Sequence, residues 1–160
     1  MLRQIRYALI VAGVVLIAAL IYVDLPYYSP AVSNFNADNP NVYASSTIQL
    51  KDTVVRVEIA DTPEERAMGL SGREGLAPDE GLLFVFEEDG LHAFWMKDMR
   101  FAIDIVWVSS DGAIVHIEEN VTPETYPAAF APRREARYVV ELSAGYVAEH
   151  EVRVGDIVRL

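Results

Sequence analysis

Apolar and polar positions change their rhythm twice along this chain. Tyr7 to Val23 is an unbroken uncharged run, Asp24 to Ser46 has no period of any kind, and from Thr47 onward short apolar stretches alternate with charged turns. The first run is seventeen residues long, at the short end of the ~17 to 25 that a helix needs to cross a bilayer. Arg3 and Arg6 precede it and Asp24 closes it, so the positive-inside rule places the N-terminus in the cytoplasm and everything after Asp24 outside. A cleaved signal peptide, which would leave the domain secreted, is the rival reading. Against it, the run ends in the bulky Leu20-Ile21-Tyr22-Val23, although Ala31-Val32-Ser33 further on offers a small-x-small site. Asp24 to Ser46 carries Pro26, Pro30 and Pro40 among asparagines and reads as a linker, which as a flexible coil would reach about 25 to 30 Å. The expected organisation is therefore an anchor at 1–23, a linker at 24–46 and an extracytoplasmic domain at 47–160.

Within the domain, Val55, Val57 and Ile59 alternate with Arg56 and Glu58, the period of a strand with one wet face. Thr62-Pro63-Glu64-Glu65 supplies a capping residue, a proline for the first turn and a glutamate three residues on, which predicts a short helix ending at Gly69. Leu82 to Phe86 is the next apolar run, with Glu87-Glu88-Asp89-Gly90 as a turn and a strand at His92 to Met96 pairing back on it. Ile103 to Val108 is apolar and β-branched enough to be buried on both faces. Ser109-Ser110-Asp111-Gly112 then turns the chain into a hairpin with Ala113 to Glu118. Val121 to Arg134, with three prolines, predicts a long surface loop of the kind that is often functional. Tyr138 to Leu142 is a strand, Ser143 to Glu149 a helical turn, and Val152 to Leu160 a last strand pair around Gly155-Asp156. Many short strands and at most two short helices predict a mainly β domain, an antiparallel sandwich of jelly-roll type or a partly closed barrel, preceded by the transmembrane helix.

Charge narrows the partners. The chain has a net charge of −11, and leaving out residues 1–23, whose only charges are Arg3 and Arg6, makes the remainder −13. Such a domain repels a phosphate backbone, so no nucleic acid is expected. With zero cysteines there is no disulfide, thiol nucleophile or thiolate metal site.

Several ordered motifs over Val54 to Leu160 resemble the domain-of-unknown-function 192 family. They are Gly69-Leu70-Ser71-Gly72-Arg73, Gly81 to Phe86, Phe94-Trp95-Met96-Lys97-Asp98-Met99, Ile103-Asp104-Ile105, Tyr138-Val139-Val140-Glu141-Leu142 with Ala144-Gly145, and Gly155-Asp156. The resemblance implies a compact, mainly β domain behind a signal peptide or anchor, and no established activity. This chain departs from the family's common pattern at Ser71, Asp98-Met99, Ala102 and Ser143.

Candidate chemistry centres on the corner at Phe94 to Phe101. Trp95, Lys97, Asp98 and Arg100, with Arg73 and Glu80 from the preceding loop, form a candidate ligand site in which cations grip a carboxylate or sugar acid while Trp95 stacks on it. The same charges would equally serve as ion pairs and turn caps. Asp104 interrupts an apolar strand and must be paired; Arg73 or Arg66 is the expected partner. His92, His116 and His150 lie on separate segments without metal-ligand spacing, and Glu87-Glu88-Asp89 lacks the spacing of a calcium loop. No metal or cofactor is expected. Ser71 lacks a nucleophile elbow. Tyr126, Phe130 and Tyr138 with Arg133, Arg134 and Arg137 make an aromatic and basic patch on or beside the long loop. The reading that follows is a membrane-tethered binding or accessory module of the cell envelope, facing an anionic envelope glycan, a lipid or a protein. Two alternatives stay open: an envelope hydrolase or lyase using Asp98 or Asp104 with Lys97, and a structural subunit of a membrane complex.

Overall fold

A computed structural model describes residues 43–160; the expected anchor and most of the expected linker lie outside the described residues. The elements run β1 Ala44–Leu50, β2 Thr53–Ala60, α1 Pro63–Met68, β3 Glu80–Gly90, β4 Phe94–Trp95, β5 Ile103–Val108, β6 Ile114–Val121, β7 Ala129–Phe130, β8 Ala136–Ser143, α2 Tyr146–Glu149 and β9 Val158–Arg159. Seven strands form one sheet in the order β6-β5-β8-β3-β2-β1-β9, and β4 pairs with β7 in a small second sheet. The domain is mainly β, a curled half-barrel with two short helices. All neighbouring strands of the large sheet are antiparallel except β2 and β3. A parallel pair cannot be closed by a tight turn, so the chain crosses over one face of the sheet through α1 and the loop after it.

Side chains alternate between the two faces of a strand, and both faces are covered. One layer joins Ile48, Leu83, Val106 and Val140 to Tyr146 and Val147 of α2. The other joins Leu82, Phe84, Ile105, Trp107 and Val139 to Leu70 and Met96 from the crossing loops. Every residue of β5 is buried, as its continuous apolar pattern predicts, and the Trp107 indole nitrogen donates to the His92 carbonyl at 2.8 Å. The β5–β6 hairpin forms where expected. Gly112 in its turn has φ +86°, and a Cβ there would stand 2.8 Å from the Val158 carbonyl, a space only glycine leaves free.

The structure corrects the expected pairing in four places. Glu87 to Gly90 is not a turn: β3 continues through it, because the register shift between Val85 and Gly90 lets Gly90 meet Ala136 while the polar residues bulge outward. The His92–Met96 segment does not pair with β3, whose edges are already taken by β2 and β8; it shortens to β4 and pairs with β7, Phe94 opposite Phe130. The C-terminal residues form no strand pair of their own, since Val158 lies opposite Leu50 of β1. Finally, β1 starts at Ala44, ahead of the expected boundary at Thr47, in a stretch that had shown no strand signal.

Candidate functional site: a cleft over Glu141

Four short stretches of chain wall a cleft of about 290 Å3: residues 66–71 of α1 and its exit, Phe84 and Phe86 of β3, the 92–99 segment, and Glu141 of β8. The α1 wall is held by local chemistry. The Thr62 hydroxyl accepts from Glu65 N, and the Glu65 carboxylate accepts from Thr62 N in return, satisfying two donors that a helix start leaves open. Tyr43 then ties the chain's entry point to this wall, its hydroxyl donating to the Gly69 carbonyl at 3.2 Å. Ser71 Oγ donates to the Lys97 carbonyl at 3.0 Å and Gly72 N to the Asp98 carbonyl at 2.9 Å, so two walls are joined at one end.

The floor is the unusual part. Strand alternation places Glu141 on the face of Val139, with Leu82 and Ile105 opposite it on the two flanking strands. It is only 5% exposed, and its buried Oε2 has no hydrogen-bond partner among the described residues. Burial among apolar neighbours pushes the carboxyl up to about 8, against the pull of the Arg73 charge. At neutral pH this upward shift favours the neutral acid, which carries one O–H donor.

Aromatic rings supply the rest of the wall. Phe94 meets Phe84 edge to face at 4.7 Å and Trp107 at 5.9 Å, while His92 stacks on Phe86 at 3.5 Å. Arg66 lies 5.2 Å over the Phe86 ring and donates to the Val85 carbonyl at 2.9 Å and to the Asp61 carbonyl. At the mouth, Trp95 is 54% exposed and faces Tyr126 at 5.8 Å. Lys97 lines the same cleft, and among the described residues it makes no ion pair.

The residues expected to form one cluster are distributed. Trp95 and Lys97 share the cleft. Asp98 occupies the turn below it with φ +56°, a left-handed conformation that aspartate tolerates better than most side chains. Arg100 pairs with Glu74 in solvent. Arg73 grips Glu58 through two bonds at 2.8 and 2.7 Å and lies over the Tyr43 ring; the Glu58 hydrogen bond is the main reason its pKa is raised. Glu80 meets Arg56 at the surface at 3.2 Å. Asp104 is fully buried, but neither Arg73 nor Arg66 is its partner. Its two oxygens accept from Asn120 N and Val147 N, each at 2.8 Å, because backbone donors from β6 and α2 reach this depth and the arginines are committed elsewhere. In the long loop, Tyr126 reaches Trp95, Phe130 belongs to β7, and Arg137 beyond it in β8 pairs with Asp89 at 2.7 Å. The histidines stay apart, and among the described residues no three metal-capable side chains come together.

Glu141 did not figure among the expected site residues. Its signal was present: one carboxylate in the apolar run Tyr138 to Leu142, the same interruption that singled out Asp104.

Comparison with known proteins agrees with this fold. A crystal structure from Sinorhizobium meliloti 1021, named as a candidate transcription regulator, matches with a TM-score of 0.71 at 35% identity, over 76% of this chain and 97% of its own. A protein of unknown function from Novosphingobium aromaticivorans DSM 12444 matches with a TM-score of 0.69 at 26% identity, over 84% of this chain and 94% of its own. No curated protein matches the chain. The model of the family DUF192, described as an uncharacterized ACR, matches residues 45–160, and the chain belongs to that family.

Proposed function

We propose that this protein is a binding module of the cell envelope, held at the membrane by a transmembrane helix at residues 7–23, and that its ligand enters the cleft over Glu141. One observation carries the reading: a buried carboxyl with an unpartnered oxygen at the floor of a preformed, aromatic-walled cleft. Leaving a polar group unsatisfied costs about 1–3 kcal/mol, and a bound ligand supplies the missing partner. Apolar walls with a few convergent polar groups are the usual make-up of a small-molecule site. The exposed ring of Trp95 and Lys97, which makes no ion pair among the described residues, add a stacking face and a cation at the mouth. The tether rests on the uncharged run after Arg3 and Arg6; among the described residues no helix is long and apolar enough to cross a membrane.

The hydrolase or lyase reading loses its expected acids. Asp104 is occupied by two backbone donors, Asp98 does not line the cleft, and among the described residues Glu141 is the one acid that does. Proton transfer in this cleft would have to run through Glu141, without the second carboxyl that glycosidases need.

The test is a screen of envelope fragments against the detergent-solubilised full chain, read by tryptophan fluorescence. Binding should change the emission of the wild type and not of Trp95→Phe, in which buried Trp107 is the remaining fluorophore. A response that survives in Trp95→Phe, or no response to any fragment, would sink the reading. Fractionation of cells tests the tether: the full chain should sediment with membranes.

A further inference from the structure

We infer that the ligand of this cleft is a sugar acid, a monosaccharide-sized ring bearing a carboxylate, whose anion sits between the Lys97 ammonium and a hydrogen bond donated by Glu141 while its apolar face stacks on Trp95. This rests on the cleft being the binding site and names what it takes.

Charge chooses the sign of the ligand. The domain is strongly acidic, yet among the described residues the cleft brings together Lys97, Arg66 and a single acid. Arg66 uses Nη1 on the Asp61 and Val85 carbonyls and keeps its positive charge at the wall. Among the described residues, Lys97 is left without a carboxylate. A ligand cation would meet two like charges, whereas an anion meets two opposite ones and a donor. Shape chooses the body. The cleft is small and open to water along one side, and the half-exposed Trp95 offers a flat face there. A pyranose has one apolar face for that ring and a rim of hydroxyls for the water.

The donor at the floor depends on Glu141 keeping its proton. Arg73 from the crossing loop is the charge that acts on the Glu141 carboxyl, while Arg66 of α1 and His92 and Lys97 of the 92–99 segment line the same cleft. Beyond Leu82 in the same row of the sheet lies Glu58, held by Arg73, and beyond Ile105 lies Glu118, held by His116. No carboxylate or histidine bonds Glu141 directly. Loss of its proton would set a carboxylate against the ligand's own, so binding should weaken as pH rises through about 8.

The experiment titrates D-glucuronate, D-glucose and benzoate into the detergent-solubilised full chain at pH 7 and pH 9, following Trp95 fluorescence. Glucuronate should bind at pH 7 at least about tenfold more tightly than either control and lose about tenfold in affinity at pH 9. Glu141→Gln, still a neutral donor but unable to ionise, should remove the pH response, its affinity at pH 9 matching its own affinity at pH 7. Lys97→Ala should weaken binding at both. Tri-galacturonate in place of glucuronate separates the end of a glycan from a free sugar acid, and tighter binding of either form supports the class. Equal binding of glucose and glucuronate, a preference for benzoate, or a pH response unchanged in Glu141→Gln would overturn the inference. If other envelope fragments still quench Trp95, the cleft remains a binding site and the ligand class alone is wrong. If none does, both fall.

Discussion

Two acids interrupt apolar strands in this sheet, and they meet opposite fates. Asp104 and Glu141 stand on neighbouring strands, Asp104 opposite Leu142 and Ile105 opposite Glu141, so their side chains point to opposite faces. Asp104 is met by two backbone N–H groups. Asp104→Ala would leave both donors without their acceptor, the Val147 N–H in a buried site, and urea denaturation should show a loss of about 1–3 kcal/mol; an unchanged midpoint would contradict this. Glu141 receives no such donors, so its folded form holds a proton that the unfolded chain releases near 4.5. Stability from this group is therefore greatest below about 4.5 and is lost as pH rises through about 8. The loss should amount to a few kcal/mol, on the order of the shift at ~1.4 kcal/mol per unit. Glu141→Gln should remove that slope, so urea midpoints compared at pH 5 and pH 8.5 should fall for the wild type and stay level for the variant. Either acid could be recognised in the sequence as a carboxylate in the wrong place. Which one would be satisfied could not, because the donors to Asp104 come from residues 16 and 43 positions away.

Elements specified by neighbouring residues were readable, and those specified by competition for sheet edges were not. The capping box at Thr62 and the Asp-Gly hairpin turn act within a few residues, and both form where the pattern placed them. Thr62→Ala should cost about 1 kcal/mol in thermal or urea unfolding. It should also disturb the amide signals of residues 66–71, because the cap sets the angle of a cleft wall. A variant as stable as the wild type would show that tertiary contacts alone hold α1. By contrast, β1 has only alternating Ile48 and Leu50 to announce it, and the β4–β7 pair exists because β3 has no free edge. The parallel β2–β3 pair was equally hidden, since nothing in the apolar period distinguishes the two directions. The candidate site was half readable for the same reason. Trp95 and Lys97 share one stretch with a strong pattern, while the cleft they border needed the crossover and β8 to assemble.

At the scale of the molecule, charge sets the partners. The Sinorhizobium meliloti neighbour carries the name of a candidate transcription regulator, yet the present chain outside residues 1–23 is at −13, and duplex DNA would be repelled. A mobility-shift assay at physiological salt should show no retardation of duplex DNA; retention that weakens with salt would argue for a basic face. The same scale gives the Tyr43 hydroxyl a mechanical meaning. Among the described residues, tension from the N-terminal side meets Tyr43 first, whose bond to the Gly69 carbonyl fastens the leading end of β1 to the cleft wall. Tension would be handed to that wall before the sheet begins to peel. Single-molecule pulling should read this as a first rupture force that falls in Tyr43→Phe, which lacks the hydroxyl, so one side chain sets how the domain meets load.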